Sequence, residues 1–198
     1  MMPRSPTAIP FSAAILAGGR STRMGRDKAF LPAPNTGIPL IAHQAALLRS
    51  LGTDDLLISG KAGVDYGIPG ARVVTDAVAD RGPLGGLAAV IAAARHTQVL
   101  VIAVDLPHLT DAYLKKIIAA AHGSIGVVPQ GPDGFEPLVA VYPKGFHPLI
   151  EAALAAARLS LQPLIQAAVT DSILLPLPIA ERERLLFTNW NTPIDLNR

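Results

Sequence analysis

The sequence predicts one α/β domain built on a mostly parallel sheet, and three observations carry that expectation. Short apolar runs alternate with helical patterns along the chain, as strand–helix–strand units require. The strongest run, Val99 to Val104, is apolar at every position, as a strand covered on both faces must be. The 18 prolines and 17 glycines sit between the periodic segments, where loop chemistry needs them. No Gly/Ser-rich or charged linker divides the 198 residues. Residues 11–198 are therefore expected to form the domain, behind a flexible tail at residues 1–10.

Taken in order, Phe11 to Ala17 reads as a buried strand that ends at Gly18-Gly19. Between Ile41 and Leu51 the apolar positions Ala42, Ala45, Ala46 and Leu48 follow a helical spacing, which Gly52 stops. Leu56 to Ile58 and Ala71 to Thr75 are short strand candidates, and Leu84 to Arg95 is an Ala-rich helix. Val99 to Val104 runs into Asp105-Leu106-Pro107. Thr110 is placed to cap a helix reaching Ala121, with Asp111 favourable in its first turn. Gly126 to Pro129 and Pro137 to Val141 read as further strands, and Pro148 to Ala157 as a further helix.

Composition removes several function classes. With no cysteine, disulfide scaffolds, thiolate metal sites and cysteine nucleophiles are excluded. Charged residues make up 16% and the net charge is +2, spread along the chain, which argues against a nucleic-acid-binding face. No window reaches the roughly 18–20 apolar residues of a membrane span, and no signal-peptide pattern opens the chain. The expectation is a soluble, cytoplasmic protein with no membrane partner. The five histidines show no i,i+4 metal spacing, and His108 reads as a loop residue.

Polar chemistry collects in three loops at strand ends, where open parallel sheets bind ligands. The first runs from Leu16 to Lys28. Gly18 and Gly19 would let a ligand approach the backbone and its N–H groups, and Arg20, Arg23, Arg26 and Lys28 add positive charge. A triphosphate suits this combination, although neither GxxxxGK[ST] nor GxGxxG is present, and a solvated basic loop is the alternative. The second is Asp105, at the end of the best strand. A carboxylate facing a phosphate loop implies a cation between them, Mg²⁺ by chemistry, unless Asp105 only caps the turn into Pro107. The third is Asp76 to Gly86, where Gly82, Gly85 and Gly86 flank Pro83 before a helix. This bulk-free edge suits a base or ribose, or is simple helix-entry punctuation.

Together these segments resemble the molybdenum cofactor guanylyltransferases, the MobA-type family of nucleotidyltransferases. The pattern LAGG-x-S-x-R-M-G-x-D-K is matched at every specified position from Leu16 to Lys28. The D…GPLxG element matches at Asp76 and at Gly82-Pro83-Leu84-x-Gly86, D-x-P at Asp105 to Pro107, and N-x-N-T-P at Asn189 to Pro193. The resemblance implies a Rossmann-like three-layer α/β sandwich of the nucleotide-diphospho-sugar transferase type. It implies transfer of GMP from GTP to the phosphate of molybdenum-bound molybdopterin, with loss of pyrophosphate.

The resemblance further implies that Leu16, Ala17, Gly18, Gly19, Lys28, Ser59, Asp76, Gly82 and Asp105 hold the nucleotide. Asp105 would bind Mg²⁺, or Mn²⁺ in its place, and Arg23, Lys28 and Asp105 would form the catalytic set. Ser59 stands near a position where the family carries Asn, so one base or ribose contact differs. The pterin side is expected near Phe135 to Leu138, with Glu136, Asn189 and Asn191 as substrate ligands. Asn191 before Thr-Pro is equally an ordinary turn, and Trp190 either stacks on a ring or packs at the domain edge. Competing functions are the same chemistry on CTP or a sugar phosphate, and a non-catalytic GTP-binding adaptor for molybdoenzyme chaperones. A dinucleotide-dependent dehydrogenase is disfavoured by the missing glycine spacing.

Overall fold

The computed structural model describes residues 10–18, 27–34, 36–75 and 81–190. One eight-stranded sheet carries the fold, in the order β3-β2-β1-β4-β7-β5-β6, with β8 pairing to β5. The strands are β1 Phe11–Leu16, β2 Asp55–Ser59, β3 Arg72–Val74, β4 Gln98–Ala103, β5 Gly126–Gly131, β6 Gly134–Phe135, β7 Val139–Pro143 and β8 Leu174–Pro178. The helices are α1 Leu40–Ser50, α2 Gly82–Ala93, α3 Asp111–Ala120, α4 His147–Ala155 and α5 Leu161–Thr170. Pairings β1–β2, β1–β4, β2–β3 and β5–β8 are parallel, while β7 runs antiparallel to both β4 and β5, and β6 antiparallel to β5.

Burial explains why these runs are strands. Every residue of β1 and β4 is buried, and successive side chains of β1 enter different cores. Phe11, Ala13 and Ile15 join α1 and α3 on one face; Ala14 and Leu16 join α2, α4 and α5 on the other. That period of two is the geometry of a strand packed on both sides. The result is the expected three-layer arrangement. Because the chain leaves β1 for β2 on one side and returns through β4 on the other, β1 and β4 form the topological switch point.

Helix ends follow local chemistry. Thr110 caps α3, its hydroxyl accepting from the Tyr113 N–H at 3.3 Å, with Asp111 in the first turn. Helix α2 begins two residues before Leu84, at Gly82, whose φ of +59° favours glycine. The described chain also holds elements that periodicity does not announce. These are α5, β8, the two-residue β6 and a 3-10 turn over Glu181–Phe187.

At the amino ends of the strands lies a buried polar knot. Asp55, on β2, accepts from the Ser12 hydroxyl at 2.6 Å, the Arg95 N–H at 2.8 Å and Arg72 Nη2 at 2.6 Å. It ties β1, β2, β3 and the turn before β4 together at the edge opposite the functional loops.

Candidate active site

Lys28 and Asp105, 77 positions apart, meet at the switch point: Lys28 Nζ donates to Asp105 Oδ2 at 3.1 Å. Each is delivered by a specific local structure. Asp27 caps a 3-10 turn over Lys28–Phe30, its Oδ1 accepting from the Ala29 N–H at 3.1 Å. Its Oδ2 takes Lys61 Nζ at 2.9 Å, so the loop after β2 braces the turn that presents Lys28. Asp105 stands two residues beyond the end of β4, and its side chain reaches across to Lys28 instead of capping the turn into Pro107.

Two further residues clamp the Asp105 loop. Gln44, fully buried on α1, donates from Nε2 to the Leu106 carbonyl at 2.8 Å. The Trp190 N–H donates to the Asp105 carbonyl at 2.8 Å, and its indole is buried, edge-on to exposed His108 at 6.2 Å between ring centroids. Trp190 therefore packs at the domain edge. Gln44 is a functional-site neighbour that sequence reasoning misses. The only signal for it is a polar residue among Leu40, Ile41, Ala45 and Leu48 on one buried helix face.

The nucleotide side shows how tightly the rim is built. The N–H groups of Ala17 and Gly18 both donate to the Ser59 carbonyl, at 2.8 and 3.0 Å. This corrects the expectation that the Gly18 N–H faces a phosphate: it is spent on holding β1 to β2. Leu16 likewise uses its carbonyl on the Val104 N–H at 3.2 Å. Gly18 still leaves the surface free of bulk, because a Cβ there would meet nothing closer than 3.8 Å.

Ser59 is buried beneath α2. A Cβ on Gly86 would lie 2.6 Å from Ser59 Oγ, so glycine at 86 is what lets α2 sit against the end of β2. Gly82 stands at the first residue of that helix, beside the same rim. Gly19, Arg23, Asp76 and Asn191, together with Arg20, Arg26 and the tail residues 1–9, lie outside the described residues.

Beyond Asp105 opens a cleft of about 570 Å³. Asp105, Glu136 and Asn189 line it together, as do Phe135, Gln162 and Arg184. Leu16, Ala17, Gly18, Ser59 and Gly82 are not among its lining residues. Burial, and then the charge of Asp133, push the Glu136 carboxyl above the usual glutamate range.

No group of three His, Asp or Glu side chains gathers as a metal cage among the described residues. Asp105 stands as a single carboxylate, which suits a cation completing its shell with substrate phosphates and water better than a dedicated protein site. No helix among the described residues is long and apolar enough to cross a membrane.

Residues 13–171 match the family described as the MobA-like NTP transferase domain. A molybdenum cofactor guanylyltransferase from Pseudomonas putida F1 is 41% identical over 191 residues, covering 93% of this chain and 94% of that protein. Among solved structures, molybdopterin-guanine dinucleotide biosynthesis protein A from Archaeoglobus fulgidus superposes with a TM-score of 0.70 at 21% identity, over 94% of this chain and 95% of that one. A Mycobacterium tuberculosis H37Rv protein crystallised with manganese superposes with a TM-score of 0.61 at 20% identity, over 96% and 97% of the two chains. The switch-point pair, the loop that presents it and these relatives agree, and the chain belongs to the MobA-like nucleotidyltransferases, in the molybdenum cofactor guanylyltransferase family.

Proposed function

We propose that this protein transfers GMP from GTP to the phosphate of molybdenum-bound molybdopterin, giving the guanine dinucleotide cofactor and pyrophosphate. The observation that carries the reading is the Lys28–Asp105 pair at 3.1 Å, standing between a glycine-bearing rim and a cleft able to take a second substrate. GTP lies along the rim of Leu16, Ala17, Gly18 and Gly82, with Gly19, Ser59 and Asp76 on its nucleoside and phosphate side. The acceptor enters the cleft toward Asp105, with Glu136, Asn189 and Asn191 around it.

An acceptor phosphate oxygen attacks the α-phosphorus in line, the α–β bridging bond breaks, and its electron pair leaves with pyrophosphate. The nucleophile is already an anion, so no general base is needed. The protein's work is positioning and charge neutralisation. Lys28 and Arg23 draw charge from the departing pyrophosphate. Asp105 would hold Mg²⁺, or Mn²⁺ in its place, and that cation would supply charge neutralisation at the phosphates. The relative solved with manganese supports a divalent ion of this size.

Parallel assays with GTP and CTP on molybdopterin test the reading. Formation of the guanine dinucleotide with Mg²⁺, and little cytosine product, is the expected result. Equal or faster turnover of CTP overturns the guanine assignment. Absence of any dinucleotide, with GTP bound, would favour an adaptor that serves molybdoenzyme chaperones.

A further inference from the structure

Glu136 is the conspicuous group of the cleft that no step of the transfer uses. Among the described residues its carboxylate has no hydrogen bond and no ion pair, although it is half-buried in a wall that includes Phe135, Pro137 and Leu138. A half-buried carboxylate on a cleft wall, with no donor from the described residues, keeps its acceptor capacity for a ligand. Its backbone is held firmly. The Glu136 N–H donates to the Pro129 carbonyl at 2.8 Å, and the Glu136 carbonyl accepts from Val139 at 3.1 Å.

Next door, the Gln162 amide grips Phe135 through both of its atoms. Nε2 donates to the Phe135 carbonyl at 2.7 Å, and Oε1 accepts from the Phe135 N–H at 3.1 Å. Gln162 therefore has little left for a ligand; its work is to fix the short β6 strand that precedes Glu136. The neighbouring Asp133 is exposed and solvated, and Arg184, at the cleft, is engaged with Glu181 at 3.0 Å. With Asp105 paired to Lys28, Glu136 is left, beside Asn189, as a carboxylate on a firmly held backbone facing a cleft of about 570 Å³.

We infer that Glu136 is the specificity-determining residue for the acceptor, its carboxylate accepting two hydrogen bonds from the N3–H and 2-amino group of a pterin ring. This rests on reading the site as a guanylyltransferase with a pterin acceptor, and it names the atoms by which that acceptor is chosen. The 2-amino-4-oxopyrimidine edge presents two parallel donors at the spacing of a carboxylate's two oxygens, and such charge-assisted pairs are the strong ones. A sugar phosphate offers hydroxyls without this fixed fork. The raised pKa of Glu136 in the structure described here is consistent with a group awaiting such donors.

The probes are a free pterin and the matching lumazine, which carries a 2-oxo group where the pterin has 2-amino. Binding of each to wild type, Glu136→Gln and Glu136→Ala is followed by ligand fluorescence, with GTP affinity measured calorimetrically on the same samples. Wild type is expected to prefer pterin over lumazine by about 10- to 100-fold, the worth of a hydrogen bond to a charged group. Both variants should lose that preference, raise the acceptor KM and keep wild-type GTP affinity. A wild type that binds both probes equally overturns the inference, as does a Glu136→Gln protein that retains the preference. If wild type makes the guanine dinucleotide yet Glu136→Gln leaves the acceptor KM unchanged, this inference falls and the transferase reading stands. If wild type binds pterin selectively but makes no dinucleotide, the reverse holds.

Discussion

Asp105→Ala is expected to lower GMP transfer by on the order of 10³-fold while GTP affinity changes only a few-fold. The expectation follows from where Asp105 stands. It is the carboxylate at the end of β4 and the partner of Lys28 Nζ at 3.1 Å, at the point where rim and cleft meet. In the proposed reading GTP binding draws on the rim, on the basic loop and on nucleoside contacts, none of which the substitution removes. In the proposed reaction the transfer step draws on a cation held by Asp105, which the substitution would remove. Asp105→Asn keeps the side-chain volume and the possibility of a hydrogen bond to Lys28, so it separates charge from shape. Single-turnover rates at rising Mg²⁺, set beside calorimetric GTP binding, check the split. Unchanged activity with Mg²⁺ would make Asp105 a structural residue.

The largest effect on stability is expected at Asp55. Its side chain is 1% exposed and meets Ser12, the Arg95 N–H and Arg72. Asp55→Ala takes the acceptor from the Ser12 hydroxyl and the carboxylate from the Arg95 N–H, and leaves Arg72 with the Ala93 carbonyl alone. Removing one partner of a buried, hydrogen-bonded ion pair costs about 3–5 kcal/mol. For a domain of this size that lowers Tm by roughly 10 °C, measurable by calorimetry. Burial alone would raise the Asp55 pKa, but the bonds from Ser12, Arg95 and Arg72 outweigh it and hold the carboxyl below its usual range. The stabilisation is therefore fully present above the unfolded carboxylate pKa, near 4, and is lost as pH falls through the lower folded value. In Asp55→Asn that acid limb of the stability curve should flatten. If it keeps the wild-type slope, Asp55 is not the group that titrates there.

The frame of the molecule was readable where one physical cause dominates. Val99 to Val104 reads as a doubly covered strand and Thr110 as the cap of a helix, because neither depends on distant partners. The LAGG loop and Asp105 were legible as a pair, since a basic glycine loop and a strand-end carboxylate have complementary chemistry. Their direct contact is a fact of topology: β1 and β4 are neighbours only because β2 and β3 went the other way.

Other features lacked a local signal. Strand β8, Leu-Leu-Pro-Leu-Pro, carries two prolines, which a central strand excludes; it survives because, among the described strands, it pairs with β5 alone. Helix α5 has Pro163 in its first turn, where the missing N–H costs nothing, so the proline masked a helix it does not break. Asp55 follows another aspartate and looks like surface until Ser12, Arg72 and Arg95 converge on it. The Gly18 N–H looked available until the Ser59 carbonyl took it. For β8, Asp55 and Gly18 the deciding partners are distant in the chain.

Trp190 is the single tryptophan of the chain, and its backbone is tied to the carbonyl of Asp105 while its ring lies buried against His108. The protein thus comes with an intrinsic optical reporter attached to the very segment at which the proposed reaction takes place. Indole emission responds to polarity and packing around the ring, so a titration followed by its colour and intensity listens to that segment above all others. No dye or label is needed.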